Sequence, residues 1–170
     1  MRETVIHPIP PLYDKNSRVL ILGTMPSPAS RQRAFYYAHP QNRFWKVLCT
    51  LFDCPPCEDN NARRDLCQRH GIALTDVLKS CTIEGASDAS IQNAQPNDLS
   101  PILNSADIRA IFTTGQTAGK LYHRLCEPVT GRPAIVLPST SAANAAIRLE
   151  TLIERYSVIL PYLTDHRTRI

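Results

Sequence analysis

Four short apolar runs, each closed by polar or small residues, set the rhythm of this chain: residues 19–22 (VLIL), 71–77 (GIALTDV), 108–113 (IRAIFT) and 134–137 (AIVL). The first shows no alternation, which predicts a strand buried on both faces and hence a parallel sheet. Between the runs the period changes. Phe44, Val47, Leu48, Leu51 and Phe52 fall at i, i+3, i+4, i+7 and i+8, one apolar helical face. A second helix is expected from near Asn60 to the residue before Gly71, since glycine suits a helix stop. Shorter helices are expected over 98–104 and 116–126, and EPVTGRP (127–133) reads as a turn. Leu149, Leu152, Ile153 and Tyr156 mark a last amphipathic helix.

Strands that alternate with helices predict an α/β fold, because parallel strands need crossover connections. The expectation is one domain over all 170 residues, a three-layer α/β/α sandwich around a central, mostly parallel four-stranded sheet. Residues 1–17, Pro-rich and aperiodic, read as an extended arm on the surface, and 80–97 as a long polar loop. The four strand ends (GTMPSP, TDVLKS, TTGQ and PSTSAAN) would line one edge of the sheet, where open α/β proteins bind ligands.

Composition narrows the class. Hydrophobic residues at 43% and charged residues at 20% are ordinary globular values, so disorder is not expected. A net charge of +4 permits nucleic-acid binding without demanding it. There is no secretory signal and no apolar run near the length of a membrane span, which predicts a cytoplasmic, reducing location with no membrane partner. A disulfide framework is therefore not expected of the six cysteines, at 49, 54, 57, 67, 81 and 126. Cys54 and Cys57 form a CPPC, but no second pair of zinc-like spacing follows, so incidental thiols are preferred over a metal or redox pair. No metal site is predicted.

The stretch from Gly23 to Trp45, GTMPSPASRQRAFYYAHPQNRFW, is poor material for a core and suits a pocket-forming loop. Here the chain resembles the uracil-DNA glycosylase superfamily. AHPQNRFWKVL (38–48) is similar to mismatch-specific uracil glycosylases and to hypoxanthine (deoxyinosine) DNA glycosylases. GTMPSP matches the first superfamily motif in position, IFTTG a strand ending in glycine, and LPSTSAANA the second motif. GIALTDVLKSC and SDASIQN look like the hypoxanthine branch, and HPxNRFW joined to LPSTSxAN is the most specific part.

The resemblance implies roles residue by residue. A glycosylase extrudes its nucleotide into a pocket, reads the base edge and supports departure of the base from C1′. That takes a water-positioning polar group, donors facing the base and a stacking aromatic, but no cofactor. In the first turn, Gly23-Thr24-Met25-Pro26, Met25 stands where the superfamily has its usual catalytic amide or carboxylate. A thioether cannot orient water, and the hypoxanthine branch implies that Asn42 takes over as the catalytic residue; a plain helix cap is the competing reading. Tyr37 matches the base-stacking aromatic, while Tyr36 beside it is read as packing. His39 would touch phosphate or simply pin the loop. Asp76, near the base-recognising amide, would accept from a purine N1–H or cap a turn. Thr75 replaces an expected aromatic. Ser139 stands where the superfamily commonly has His or Asn. Thr140, Ser141, Ala143 and Asn144 would face the DNA, with Ala143 as a small wedge; capping of the last helix is the alternative for this loop.

The expected activity is that of a monofunctional, monomeric DNA glycosylase acting on single- or double-stranded DNA that carries a deaminated base, hypoxanthine first. No lysine stands in the matched motifs, so no Schiff-base lyase step is expected. The alternatives are a mismatch-directed uracil glycosylase and a catalytically silent DNA-binding or damage-sensing module. An unrelated α/β enzyme using GTMPSP as a phosphate loop lacks the P-loop Lys-Ser/Thr ending.

Overall fold

The structure is a computed structural model that describes residues 2–164. Its centre is a four-stranded sheet of β2 (Val19–Gly23), β3 (Ile72–Asp76), β6 (Ala110–Thr114) and β7 (Ile135–Leu137). The order is β3-β2-β6-β7, and every pair is parallel. β2 is fully buried along its length, as its unbroken apolar run predicts. Its successive side chains point to opposite faces and anchor two separate cores.

Val19 and Ile21 pack on one face with Phe44, Trp45 and Leu48 of α2 (Phe44–Leu51), Leu66 of α3 (Asn60–His70), and Leu152 and Tyr156 of α7 (Leu149–Tyr156). Leu20 and Leu22 pack on the other with Ile102 of α4 (Ser100–Ser105) and Ala118 and Leu121 of α5 (Gln116–Leu121). The three-layer α/β/α arrangement therefore holds. None of the described helices is long and apolar enough to cross a membrane.

Four expectations need correction. First, residues 1–17 are not a mere surface arm. Arg2–Ile6 forms β1, which pairs antiparallel with β4 (Leu78–Glu84), and Leu12 bridges to Leu74. Second, 80–97 is not a long loop: β4 runs through its start, and β5 (Gln92–Pro96) pairs back onto it. The result is a second, three-stranded antiparallel sheet, β1-β4-β5, whose Val5, Leu78, Cys81 and Ile83 complete the second core. Third, the 23–45 stretch contains α1 (Pro28–Arg33), whose first turn is capped by Ser27 accepting from the Ser30 N–H. Fourth, EPVTGRP is a turn only in its second half. Helix α5 continues as a π-helical segment, Tyr122–Cys126, into α6 (Glu127–Thr130), and Gly131 at φ 69° stops it.

Cys57 lies 3.3 Å from Cys49, sulfur to sulfur. Burial, then the hydrogen bond with Cys49, pushes the Cys57 thiol up to about 12. Among the described residues no group of three His, Cys, Asp or Glu side chains is placed to hold a metal ion.

Candidate active site

The carboxyl ends of β2, β3, β6 and β7 open into one cleft of about 760 Å³. Gly23, Thr24, Met25 and Pro26 continue β2 along it; Asp76 ends β3; Thr114 and Gly115 end β6; Ser139, Thr140 and Ser141 follow β7. Gly115 makes the turn there at φ 93°, a conformation that favours glycine. Tyr37, Asn42, Ala143 and Asn144 complete the wall. Twelve of the thirteen residues singled out from the sequence therefore share this cleft. His39 does not. It is exposed outside the cleft, and its Nδ1 accepts from the Gln41 N–H (3.1 Å), which pins the loop.

Close approach fixes the floor. A Cβ on residue 23 would lie 2.5 Å from Asp76 Oδ1, 3.3 Å from Tyr37 Oη and 3.6 Å from Thr114 Oγ1. Glycine is required because three polar atoms converge on its Cα. Asp76 is buried, and its Oδ2 accepts from Nε2 of His7 at 2.7 Å. Among the described residues no backbone N–H bonds the Asp76 side chain as a helix or turn cap would require; it is held by His7 instead.

Tyr37 stands on the wall at φ 53°, an uncommon conformation for a bulky residue. Three contacts hold it there. Its ring stacks on Phe44 with centroids 3.8 Å apart and planes 15° from parallel. Its hydroxyl bonds Thr114 Oγ1 (3.1 Å), and the next residue donates its N–H to Ser30 Oγ (3.1 Å). Strain of this kind persists where surroundings over-determine it, which is common at binding sites. Burial, then the charge of Asp76, holds the Tyr37 phenol well above its ordinary value, so it stays a neutral donor. Tyr36 serves packing: it is buried, and its hydroxyl donates to the Pro10 carbonyl at 3.0 Å.

Asn42 is tied from two sides. Its Oδ1 accepts the Phe44 N–H (2.9 Å) at the start of α2 and the Thr140 hydroxyl (2.8 Å). Arg43, not Asn42, holds the N-cap position of α2, yet Asn42 both bonds to the first turn of that helix and lines the cleft. Both carbonyl lone pairs are engaged, so Asn42 meets a ligand as a donor through its amide nitrogen. Arg43 fastens the same two segments together, donating from its backbone to the Thr140 carbonyl (3.0 Å) and from its guanidinium to the Ile147 and Asn144 carbonyls (2.7 and 3.1 Å).

Thr140 corrects an expectation. It is 1% exposed, with its hydroxyl turned to Asn42, so its side chain faces the interior and not DNA. Ser141 caps the short turn Ala142–Asn144 by accepting from the Ala143 N–H; the last amphipathic helix, which the capping alternative named, starts after Arg148 without a side-chain cap. Ala143 is exposed at the rim, and Asn144 bonds back to the Ser139 carbonyl (3.0 Å). Two contributors were missed in the sequence. Thr114 carried a signal, as the polar end of the third apolar run. His7 carried none, because its partner lies 69 residues away.

A family model for the Uracil DNA glycosylase superfamily matches residues 10–158. A hypoxanthine DNA glycosylase of Methanosarcina barkeri is 31% identical over 141 residues, covering 79% of this chain and 85% of the relative. One from Methanosarcina acetivorans is 33% identical over 138 residues, with coverage of 79% and 85%. The solution NMR structure of a candidate uracil DNA glycosylase from Methanosarcina acetivorans superimposes with a TM-score of 0.78 at 27% identity, covering 91% of this chain and 96% of that one. The chain belongs to the uracil DNA glycosylase superfamily, and is a DNA N-glycosylase, a hydrolase of N-glycosyl bonds.

Proposed function

From that membership we propose that the protein is a monofunctional glycosylase of base excision repair that flips a deaminated base, hypoxanthine first, out of DNA and hydrolyses its N-glycosidic bond. The observation that carries the reading is the gathering of Tyr37, Asn42, Asp76 and Ser139 in one cleft of about 760 Å³. That volume lies in the range of small-ligand sites and leaves room for a base with its sugar. The relatives named as hypoxanthine DNA glycosylases support the choice of base.

Each group has a role that suits its surroundings. Tyr37, backed on one face by Phe44, offers a rigid aromatic surface on which a flipped base stacks, worth about 1–3 kcal/mol. Asp76 accepts the ring N–H of the base. Departure of the base leaves positive charge on the sugar and negative charge on the base, so groups already in place stabilise it. Asn42 holds the attacking water by its oxygen through the amide N–H, the donor left over once Oδ1 is engaged. Ser139 stands near the base oxygen, and Ser141 with nearby backbone N–H groups serves the phosphate beside the flipped nucleotide. Among the described residues lining the cleft there is no lysine, in keeping with direct hydrolysis and no imine step.

Uracil also offers a ring N–H to Asp76, so it is the second substrate to test. Single-turnover cleavage of duplexes carrying deoxyinosine or deoxyuridine, each opposite thymine and guanine, decides the order. Faster loss of hypoxanthine is expected. A folded protein that releases neither base would end the reading.

A further inference from the structure

Asp76 lies at the floor of the cleft and His7, outside the lining, bonds to it from behind; their side chains are only 6% and 5% exposed. The ring of His7 uses both nitrogens. Nδ1 accepts the Ile9 N–H (3.3 Å), and Nε2 lies 2.7 Å from Asp76 Oδ2. A nitrogen that accepts carries no proton, so the proton is on Nε2 and His7 donates to Asp76. The other carboxylate oxygen, Oδ1, rests over Gly23 with Tyr37 Oη and Thr114 Oγ1 close by. Asn97 ties down the backbone of the same residue, donating to the Asp76 carbonyl at 2.8 Å. Asp76 thus has one oxygen clamped by the N-terminal segment and one beside the cleft floor, and it has no freedom to become a donor while ionised.

A fixed acceptor reads one of the two features that deamination changes, the ring nitrogen; the other is the exocyclic amine, which becomes a carbonyl. Adenine N1 and cytosine N3 carry a lone pair. In hypoxanthine and uracil the same ring atom carries a hydrogen next to a carbonyl. A buried acceptor pairs with the second and is left unpaired, facing another lone pair, by the first. Guanine shares the N1–H and is not sorted by this contact.

Resting on the glycosylase reading above, we propose that His7 is a positioning residue for base selection. Its Nε2–H clamps Asp76 so that Oδ1 presents a fixed acceptor, and the site takes bases with a ring N–H beside a carbonyl while turning away their undeaminated parents. The first residues of the chain are then part of the specificity apparatus.

The test compares single-turnover excision of deoxyinosine with that of deoxynebularine, whose purine ring has the N1 lone pair and no 6-oxo group. His7→Ala is expected to narrow the inosine-to-nebularine ratio by about tenfold, chiefly through half-saturation rather than the maximal rate. His7→Gln, which still donates, is expected to restore the ratio to within about threefold of wild type. In Asp76→Asn the His7 N–H takes the amide oxygen and turns the NH₂ toward the cleft, so the preference shifts toward nebularine. The double variant His7→Ala/Asp76→Asn frees the amide to rotate and loses that shift. An unmoved ratio in His7→Ala overturns the proposal, as does a loss that glutamine does not rescue. Should His7→Ala not fold, Asp76→Asn decides, and the absence of any shift toward nebularine overturns the proposal. Excision of neither inosine nor uracil by the folded wild type is a failure of the glycosylase reading, whereas active protein with an unmoved ratio is a failure of this proposal alone.

Discussion

Asn42 and Thr140 stand 98 positions apart in the chain and share one hydrogen bond, from Thr140 Oγ1 to Asn42 Oδ1 at 2.8 Å. That bond determines which end of the Asn42 amide a ligand meets. With the Phe44 N–H on the same oxygen, the carbonyl is saturated and the NH₂ group is presented.

Asn42→Ala is therefore expected to lower the single-turnover rate on inosine DNA by about tenfold or more, the lower end of what one positioned group contributes. It also removes the bond at the start of α2, costing about 1 kcal/mol of stability, readable by urea denaturation. Thr140→Val keeps the shape and deletes only the donor. It should destabilise by about 1 kcal/mol and slow excision less than Asn42→Ala does. Equal losses would mean that Thr140 acts on the substrate directly.

Gly23→Ala places a methyl group 2.5 Å from Asp76 Oδ1. The carboxylate must swing away or the strand must shift, costing about 1–3 kcal/mol. Under the proposed function the phosphate contacts belong to Ser141 and its neighbours, away from the Gly23–Asp76 floor, so excision should fall much further than affinity for undamaged DNA. Rate and affinity measured on the same preparation check this; parallel loss of both would point to general misfolding.

Tyr37→Phe keeps the stack on Phe44 and removes the bond to Thr114. About 0.5–1.5 kcal/mol of stability should go, with excision little changed. Tyr37→Ala removes the aromatic surface, and the apparent affinity for inosine DNA should drop by about 1–3 kcal/mol in fluorescence titrations. A phenylalanine variant as weak as alanine would shift the role from ring to hydroxyl.

Alkaline pH should destabilise the protein in a predictable window. Burial raises the phenols of Tyr36 and Tyr156 above their ordinary value of 10.0 and the Cys67 thiol above 9.0. Their native pKa values exceed the unfolded ones, so the stabilisation is whole below pH 9.0 and shrinks as the unfolded chain alone loses protons. Cys67 acts first; beyond pH 10.0 the two phenols join it, and each group contributes a slope of about 1.4 kcal/mol per pH unit. Melting temperatures from pH 8 to 11.5, with phenolate absorbance followed in parallel, check the sign. A flat profile above pH 10 would contradict the burial of these groups.

What could be read from the sequence divides along physical lines. Strands such as β2 announce themselves because burial on both faces leaves no room for polar residues, and the parallel sheet follows from them. The antiparallel sheet is silent. β1, RETVI, buries Val5 alone, and β5, QNAQP, is mostly exposed, so neither shows a pattern that separates it from loop. The site divides in the same way. Tyr37, Asn42 and Ser139 sit in recognisable motifs, whereas His7 acquires meaning only when β1 brings it to Asp76. Thr140 misled for a related reason: a hydroxyl in a small-residue loop looks surface-exposed until Asn42 is placed beneath it.

The pairing of β1 with β4 also sets a timetable. Arg2–Ile6 is made long before Leu78–Glu84, its partner. At ribosomal speeds of about 5–20 residues per second, the first strand waits roughly 4–15 seconds with its edge open. Arg2 and Glu3, charged and exposed, suit that wait, since charge on a free edge discourages pairing with other chains. The parallel pair β2–β3 can form while β4 is still emerging. Arg2–Ile6, made before every other strand described, is thus among the later ones to find its place, and the floor of the cleft closes only when it does.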